Sequence, residues 1–244
     1  DKVVAFDYSI SDDITFGDYL KDKVTLSLDT SKTNFDTDVF LQYKFEGMSY
    51  FTKMTDTTIV TAMSGEWQIC YLDKGISKVI ENATGTFNIK PFDLNDAIFS
   101  ISSHQYSGYE NNVMISAETP SGIRLNTTIS GTSKATEVGV YDVVVSGSDS
   151  CSVGSVNKQW EITIGNMIVS ASNVNTTYDS TYHSIEVKAP NNTTITYSVD
   201  GINYTSTNPS YKDAGTYTVY YQITREGYIT VTGREKVIIT KADN

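Results

Sequence analysis

Apolar and polar positions alternate with a period of two over short runs along the chain. The clearest run begins at Tyr217. Tyr217, Val219 and Tyr221 take one parity, and Thr218, Tyr220 and Gln222 the other. That is the pattern of a half-buried strand, and it places Tyr220 on the outer face. The run follows at once on Lys212-Asp213-Ala214-Gly215. There Asp213 can bond neighbouring backbone and Gly215 can take positive φ without steric cost, so the pattern reads as a turn leading into a strand. Nowhere do apolar residues keep the i, i+3, i+4, i+7 spacing over three turns, so helix content is expected to be low.

The turn-and-strand pattern recurs. Gly65-Glu66-Trp67-Gln68-Ile69 and Gly139-Val140-Tyr141-Asp142-Val143 align with Gly215-Thr216-Tyr217-Thr218-Val219, at spacings of 74 and 76 residues. An apolar strand follows each glycine at nearly the same distance and ends on Ile89, Ile164 or Ile239. A second landmark joins Tyr43 through Tyr50 to Tyr197 through Tyr204, each a strand, an acidic-Gly turn and a returning strand. The middle repeat has only a degenerate form, Ile129-Ser130-Gly131. A third landmark pairs Gln105 through Tyr109 with Thr177 through Tyr182. Landmarks in one register define repeats, with units at 1–92, 93–165 and 166–244. The first carries extra material: strands at Val3-Val4-Ala5-Phe6 and Val24-Thr25-Leu26-Ser27-Leu28, with a helical turn or loop between, capped by Ser11 if helical. The junctions are short, without a Gly/Ser linker.

Strands of five to eight residues spaced by turns predict antiparallel sandwiches. A Tyr near the start of the sixth strand, returning its hydroxyl to the preceding corner, is a mark of immunoglobulin-like sandwiches. Trp67, Tyr141 and Tyr217 occupy that corner position, which is a buried one. The fold class is therefore all-β: three tandem immunoglobulin-like antiparallel β-sandwiches in an elongated arrangement.

The third unit adds a resemblance. Tyr178-Asp179-Ser180-Thr181-Tyr182, Tyr197-Ser198-Val199-Asp200-Gly201 and Asn208-Pro209-Ser210-Tyr211-Lys212-Asp213-Ala214-Gly215-Thr216-Tyr217 stand in order, closed by Ile239-Thr240-Lys241-Ala242. This resembles the tandem bacterial Ig-like repeats, of mucin-binding-glycoprotein type, on cell-surface proteins of Gram-positive bacteria. It covers residues 166–242, holds in part over 93–165, and rests on the corner and hairpin over 1–92. Ser180 stands where the pattern has Gly. The resemblance implies an extracellular, non-catalytic module, attached to the cell surface or wall, with no shared ligand and no catalytic residues to carry over.

Charge and chemistry narrow the function classes. Eighteen Lys and Arg stand against 29 Asp and Glu, a net charge of −11, which weighs against nucleic acid because phosphate binding needs clustered cations. No run of 18 apolar residues is present, so this segment inserts in no membrane. The composition, rich in Thr, Ser, Asn, Tyr and Asp and poor in Lys and Arg, favours a segment of an exported protein; a monomer is expected. Cys70 and Cys151 lie in different units, and Cys151, at a polar hairpin tip, reads as an exposed thiol. His104 and His183 read as polar residues at strand ends. No base stands near a nucleophile, so the chain is read as no enzyme.

Two candidate sites remain. Acidic clusters occur at Asp12-Asp13, Asp36-Thr37-Asp38 and Asp93-Leu94-Asn95-Asp96; Asp-x-Asp can serve as a calcium arm, and Asp93 with Asp96 is the best place for that ion, the one cofactor considered. Tyr204, Tyr211, Tyr220 and Tyr228 lie in turns or on an outer face. An exposed Tyr can stack on a sugar or anchor a protein. The partner would be a host or dietary glycan or a host surface protein. A carbohydrate-binding region of a polysaccharide-utilisation protein is the alternative.

Overall fold

The computed structural model describes residues 1–242, so the last two residues of the 166–244 unit lie outside the described residues. Strand accounts for 54% of the chain and helix for 3%, which settles the all-β class. The helix is two 3-10 turns, Leu20–Lys23 and Leu94–Asp96. Close packing divides the chain into two compact units. One comprises residues 1–102, 113–133 and 142–160; the other comprises 103–112, 134–141 and 161–244.

In the first unit, a five-stranded sheet runs Ile14–Thr15, Ile76–Lys90, Ser64–Asp73, Val39–Phe45, Thr52–Lys53. Facing layers are supplied by the antiparallel pair Phe6–Ile10 and Val24–Leu28, and by Ile98–Ile101, Ile115–Glu118 and Arg124–Leu125. The strand expected at residues 3–6 thus starts later, at Phe6. The stretch after Ser11 is short strand and 3-10 turn rather than α-helix: the Ser11 hydroxyl accepts from the Asp13 amide, and Ile14 pairs with Ile89. Ile14, Leu20, Leu41, Val60 and Leu94 are fully buried in one cluster that also takes in Ala117 and Leu125. Residues on both sides of position 92 therefore share a core. Gly17 is fixed there by φ +91° and by Thr119, whose side chain leaves no room for a Cβ.

The second unit has the sheet Val174–Thr177, Val231–Thr240, Gly215–Thr224, Thr194–Ser198, faced by Ser170–Ser172 with Glu186–Lys188. Val219, Ile223 and Val237 are fully inaccessible, and Ile185, Tyr221 and Ile239 close the cluster. Tyr217 and Tyr221 share the parity of Val219, as the alternation requires. Gly215 has no positive φ. It is needed because a Cβ would stand 3.0 Å from the Tyr217 ring.

One parallel pairing recurs three times, each between a short strand that follows an opening strand and a long later strand. Ile14–Thr15 lies beside Ile89 and Lys90, His104–Gln105 beside Ile162 and Thr163, and Val174–Thr177 beside Val237 through Thr240. Parallel neighbours require a crossover, which here is the rest of the sandwich.

Candidate functional site

The corner residues come first because they fix the frame. Tyr217 Oη donates to the Asp213 carbonyl at 3.2 Å, and Tyr141 Oη donates to the Glu137 carbonyl at 2.7 Å. Both reach back four residues. Trp67 differs. It is half-buried rather than buried, and its indole lies over Gly85, its cross-strand partner, where a Cβ would be 2.7 Å from the ring. Tyr8 packs against it at 5.7 Å. The corner geometry asks for a hydroxyl at a ring's tip, which indole lacks.

The four candidate tyrosines are not an exposed platform. Each is half-buried. Tyr211 stacks on Tyr217 at 4.0 Å with ring planes 6° apart, and burial raises its phenol above the ordinary value. Tyr228 meets Tyr106 edge to face at 5.3 Å and carries the Arg225 guanidinium over its ring at 4.5 Å. Tyr204 sits in the loop returning from the turn at Gly201. Tyr220 lies on the outer face, with its ring against Gly201, where a Cβ would meet it at 3.3 Å. Tyr211 and Tyr228 are thus engaged with other rings, whereas Tyr220 has one side of its ring against Gly201.

The exposed tyrosines are others. Tyr50 is 76% exposed, Tyr109 78% and Tyr182 67%. Each follows a small turn residue, Ser49, Gly108 or Thr181, and that was the available signal. They lie on separate loops.

The turn at residues 198–203 is unusually ordered. The Asp200 carboxylate accepts from the Ser198 hydroxyl at 2.7 Å, the Ile202 and Asn203 amides at 2.8 Å each, and the Asn203 side chain at 2.7 Å. Those bonds, the Asn203 backbone first, hold its pKa well below the usual carboxylate range. The expected return strand is reduced here to one bridge, Tyr197 with Thr205.

Asp93 caps the turn Leu94–Asp96, accepting from the Asn95 amide at 2.9 Å and the Asn95 side chain at 2.8 Å. Asp96 stands in that turn. Among the described residues no group of three or more His, Cys, Asp and Glu side chains gathers where a metal could be held. Asp13 is instead paired with Lys90 at 2.8 Å, and Asp38 caps Val39.

His183 Nε2 lies 2.9 Å from Asp179 Oδ1, and Thr181 donates to the same oxygen from its amide and its hydroxyl. The imidazole contact, then these bonds, lower Asp179 to about 2. His104 belongs to the parallel pairing described above. Neither cysteine is exposed. Cys70 is buried on the strand Ser64–Asp73, and Cys151 packs on the first unit's core, so burial raises both thiols. At the hairpin tip the Asp149 carboxylate accepts from the Cys151 amide at 2.9 Å.

Comparison with known proteins adds little. No protein-family model matches the chain, and no curated protein matches it by sequence. Among solved structures, titin domains I67–I69 are 8% identical at a TM-score of 0.25, with 99% of each chain covered. Sidekick-1 immunoglobulin domains 1–4 are 10% identical at 0.25, covering 98% of this chain and 75% of that one. Protocadherin Gamma B2 cadherin domains 3–6 are 12% identical at 0.24, covering 99% and 79%. At such TM-scores these likenesses carry no argument. The immunoglobulin-like class stands on the strand order and the corner bonds. Among the described residues no helix is long and apolar enough to cross a membrane.

Proposed function

We propose that this chain is a non-catalytic ectodomain segment of a bacterial cell-surface protein, acting in adhesion or as a spacer that displays a binding surface. It would be built from three immunoglobulin-like units with boundaries near residues 92 and 165, work as a monomer outside the cell, and contact a host or dietary glycan or a host surface protein. The observation behind this reading is the threefold parallel pairing of a short early strand with a long later one, which spends most of the sequence on repeated scaffold. Bacterial origin and surface attachment come from the resemblance of residues 166–242 to Gram-positive surface repeats. Nucleic acid is left out of the reading because of the net charge of −11.

The test is a glycan array and a panel of host surface proteins probed with the whole chain. Saturable binding to either supports adhesion. A chain that binds nothing, yet restores adhesion when placed between a known binding domain and the cell surface, is a spacer. Failure of both overturns the proposal. Calcium at Asp93 and Asp96 is a subordinate part of it: added calcium should raise the melting temperature, and no rise removes the ion from the account.

A further inference from the structure

Most cations of this acidic chain already have partners. Lys23, Lys32, Lys44, Lys90, Lys134 and Lys188 face carboxylates. Lys53, Lys158, Lys212 and Arg225 lie over aromatic rings. On the last strand of the second unit, Val231–Thr240, the exposed residues Arg234 and Lys236 share one parity, two residues apart on the outer face. Successive same-face residues lie roughly 7 Å apart. Neither side chain has a carboxylate or ring partner among the described residues.

Their cross-strand neighbours complete a site. Arg234 stands opposite Tyr220, and Lys236 opposite Thr218. With Asn173 and Glu235 these residues line a cleft of about 440 Å³, within the range of roughly 300–1,000 Å³ typical of small-ligand sites. Two of its edges are held rigid. The Asn173 side-chain oxygen Oδ1 accepts from the Lys236 backbone amide at 2.7 Å. Tyr220 is braced by Gly201, whose turn is locked by four bonds to Asp200. Glu235 has the opposite parity and stands across from buried Val219, so it offsets the two charges only in part.

We infer that this cleft binds an acidic saccharide, a sugar bearing a carboxylate or sulfate group. The inference rests on the adhesion reading above and names its ligand class and place. Two unpaired cations on one face, on a chain of net charge −11, call for an anion. Tyr220 offers an aromatic face for the apolar side of a sugar ring, and Thr218 a hydroxyl for its polar edge. A polyanionic duplex would meet only two cations here and repulsion elsewhere. An acidic peptide would satisfy the charges but leave Tyr220 without a ring to cover.

The experiment titrates the whole chain with glucuronate-terminated, sialate-terminated and sulfated oligosaccharides, with their neutral counterparts, and with an oligo-aspartate peptide. Arg234→Ala and Lys236→Ala are compared with wild type, with the melting temperature as a folding control. Acidic sugars should bind and neutral ones should not. Each substitution should weaken binding roughly 10- to 100-fold, as expected for losing one charge-assisted hydrogen bond. Tyr220→Ala should weaken acidic sugars while leaving any peptide binding in place. Acidic sugar binding that both variants retain overturns the site. Equal binding of neutral sugars overturns acid recognition but leaves glycan adhesion standing. Binding of oligo-aspartate as tightly as the sugars overturns the saccharide class. No binding by any probe overturns this inference alone, since the wider array and the spacer assay judge adhesion separately.

Discussion

Replacing Ile223 by Ala tests the core of the second unit. Ile223 is fully inaccessible, faces Ile195 across the strand pair, and packs in the cluster with Val219 and Val237. Truncation removes three carbon groups worth about 0.8 kcal/mol each, or about 2.4 kcal/mol of transfer energy. Incomplete collapse of the cavity adds about 1 kcal/mol, for a total near 3–4 kcal/mol. Ile168, in the same unit and 92% exposed, is the control. Ile168→Ala should stay within about 0.5 kcal/mol of wild type. A single melting temperature would blend two compact units, so the assay is amide hydrogen exchange on peptides covering Gly215–Thr224. The core variant should lose protection there by roughly 100-fold or more, at about 1.4 kcal/mol per tenfold. A loss below tenfold, or one matched by Ile168→Ala, would refute the reasoning that this cluster carries the unit's stability.

Four further outcomes follow from the geometry. Tyr141→Phe and Tyr217→Phe each remove one hydroxyl bond to a corner carbonyl and should cost about 1 kcal/mol by urea denaturation, whereas Trp67→Phe leaves the corner bonds intact. Gly233→Ala would put a Cβ 2.2 Å from the Tyr221 hydroxyl, so the ring or the strand must shift; a loss of about 1–3 kcal/mol is expected, and an unchanged melting curve would count against the close approach. Asp179, held near 2 when folded against an ordinary 3.8, contributes stability that is present above about pH 4 and fades as the pH falls toward 2; carboxyl NMR should show the low midpoint, and His183→Ala should raise it. Thiol titration of the native chain should find Cys151 slow and Cys70 unreactive, with both reacting promptly in denaturant.

Much of the second unit was legible in the sequence because strand alternation is a local signal. The parity of Tyr217, Val219 and Tyr221 sets the buried face, and the turn before Tyr217 sets where the strand begins. What escaped the sequence depends on contacts between distant residues. The parallel pairing of Val174–Thr177 with the last strand leaves no mark on either segment's own pattern. The exposure of the tyrosines was misjudged for the same reason: whether Tyr220 or Tyr228 is free depends on where Gly201 or Tyr106 comes to rest. The burial of Cys151 likewise depends on the distant core residues it packs against. Nothing in the local pattern marks Arg234 and Lys236. Only the cross-strand register puts Tyr220 and Thr218 opposite them.

The parallel pairing of an early strand with a later one has a mechanical consequence. Tension that enters through the early strand and leaves through the later one pulls the two strands past each other along their own axes. The hydrogen bonds between them are then loaded together, in shear, and cannot be opened one at a time like a zipper. Four residue pairs share that load at Val174–Thr177, but only two at Ile14–Thr15 and two at His104–Gln105. A chain pulled from its ends would therefore yield at the shorter clamps first, while the sheet that carries Arg234 and Lys236 stayed paired.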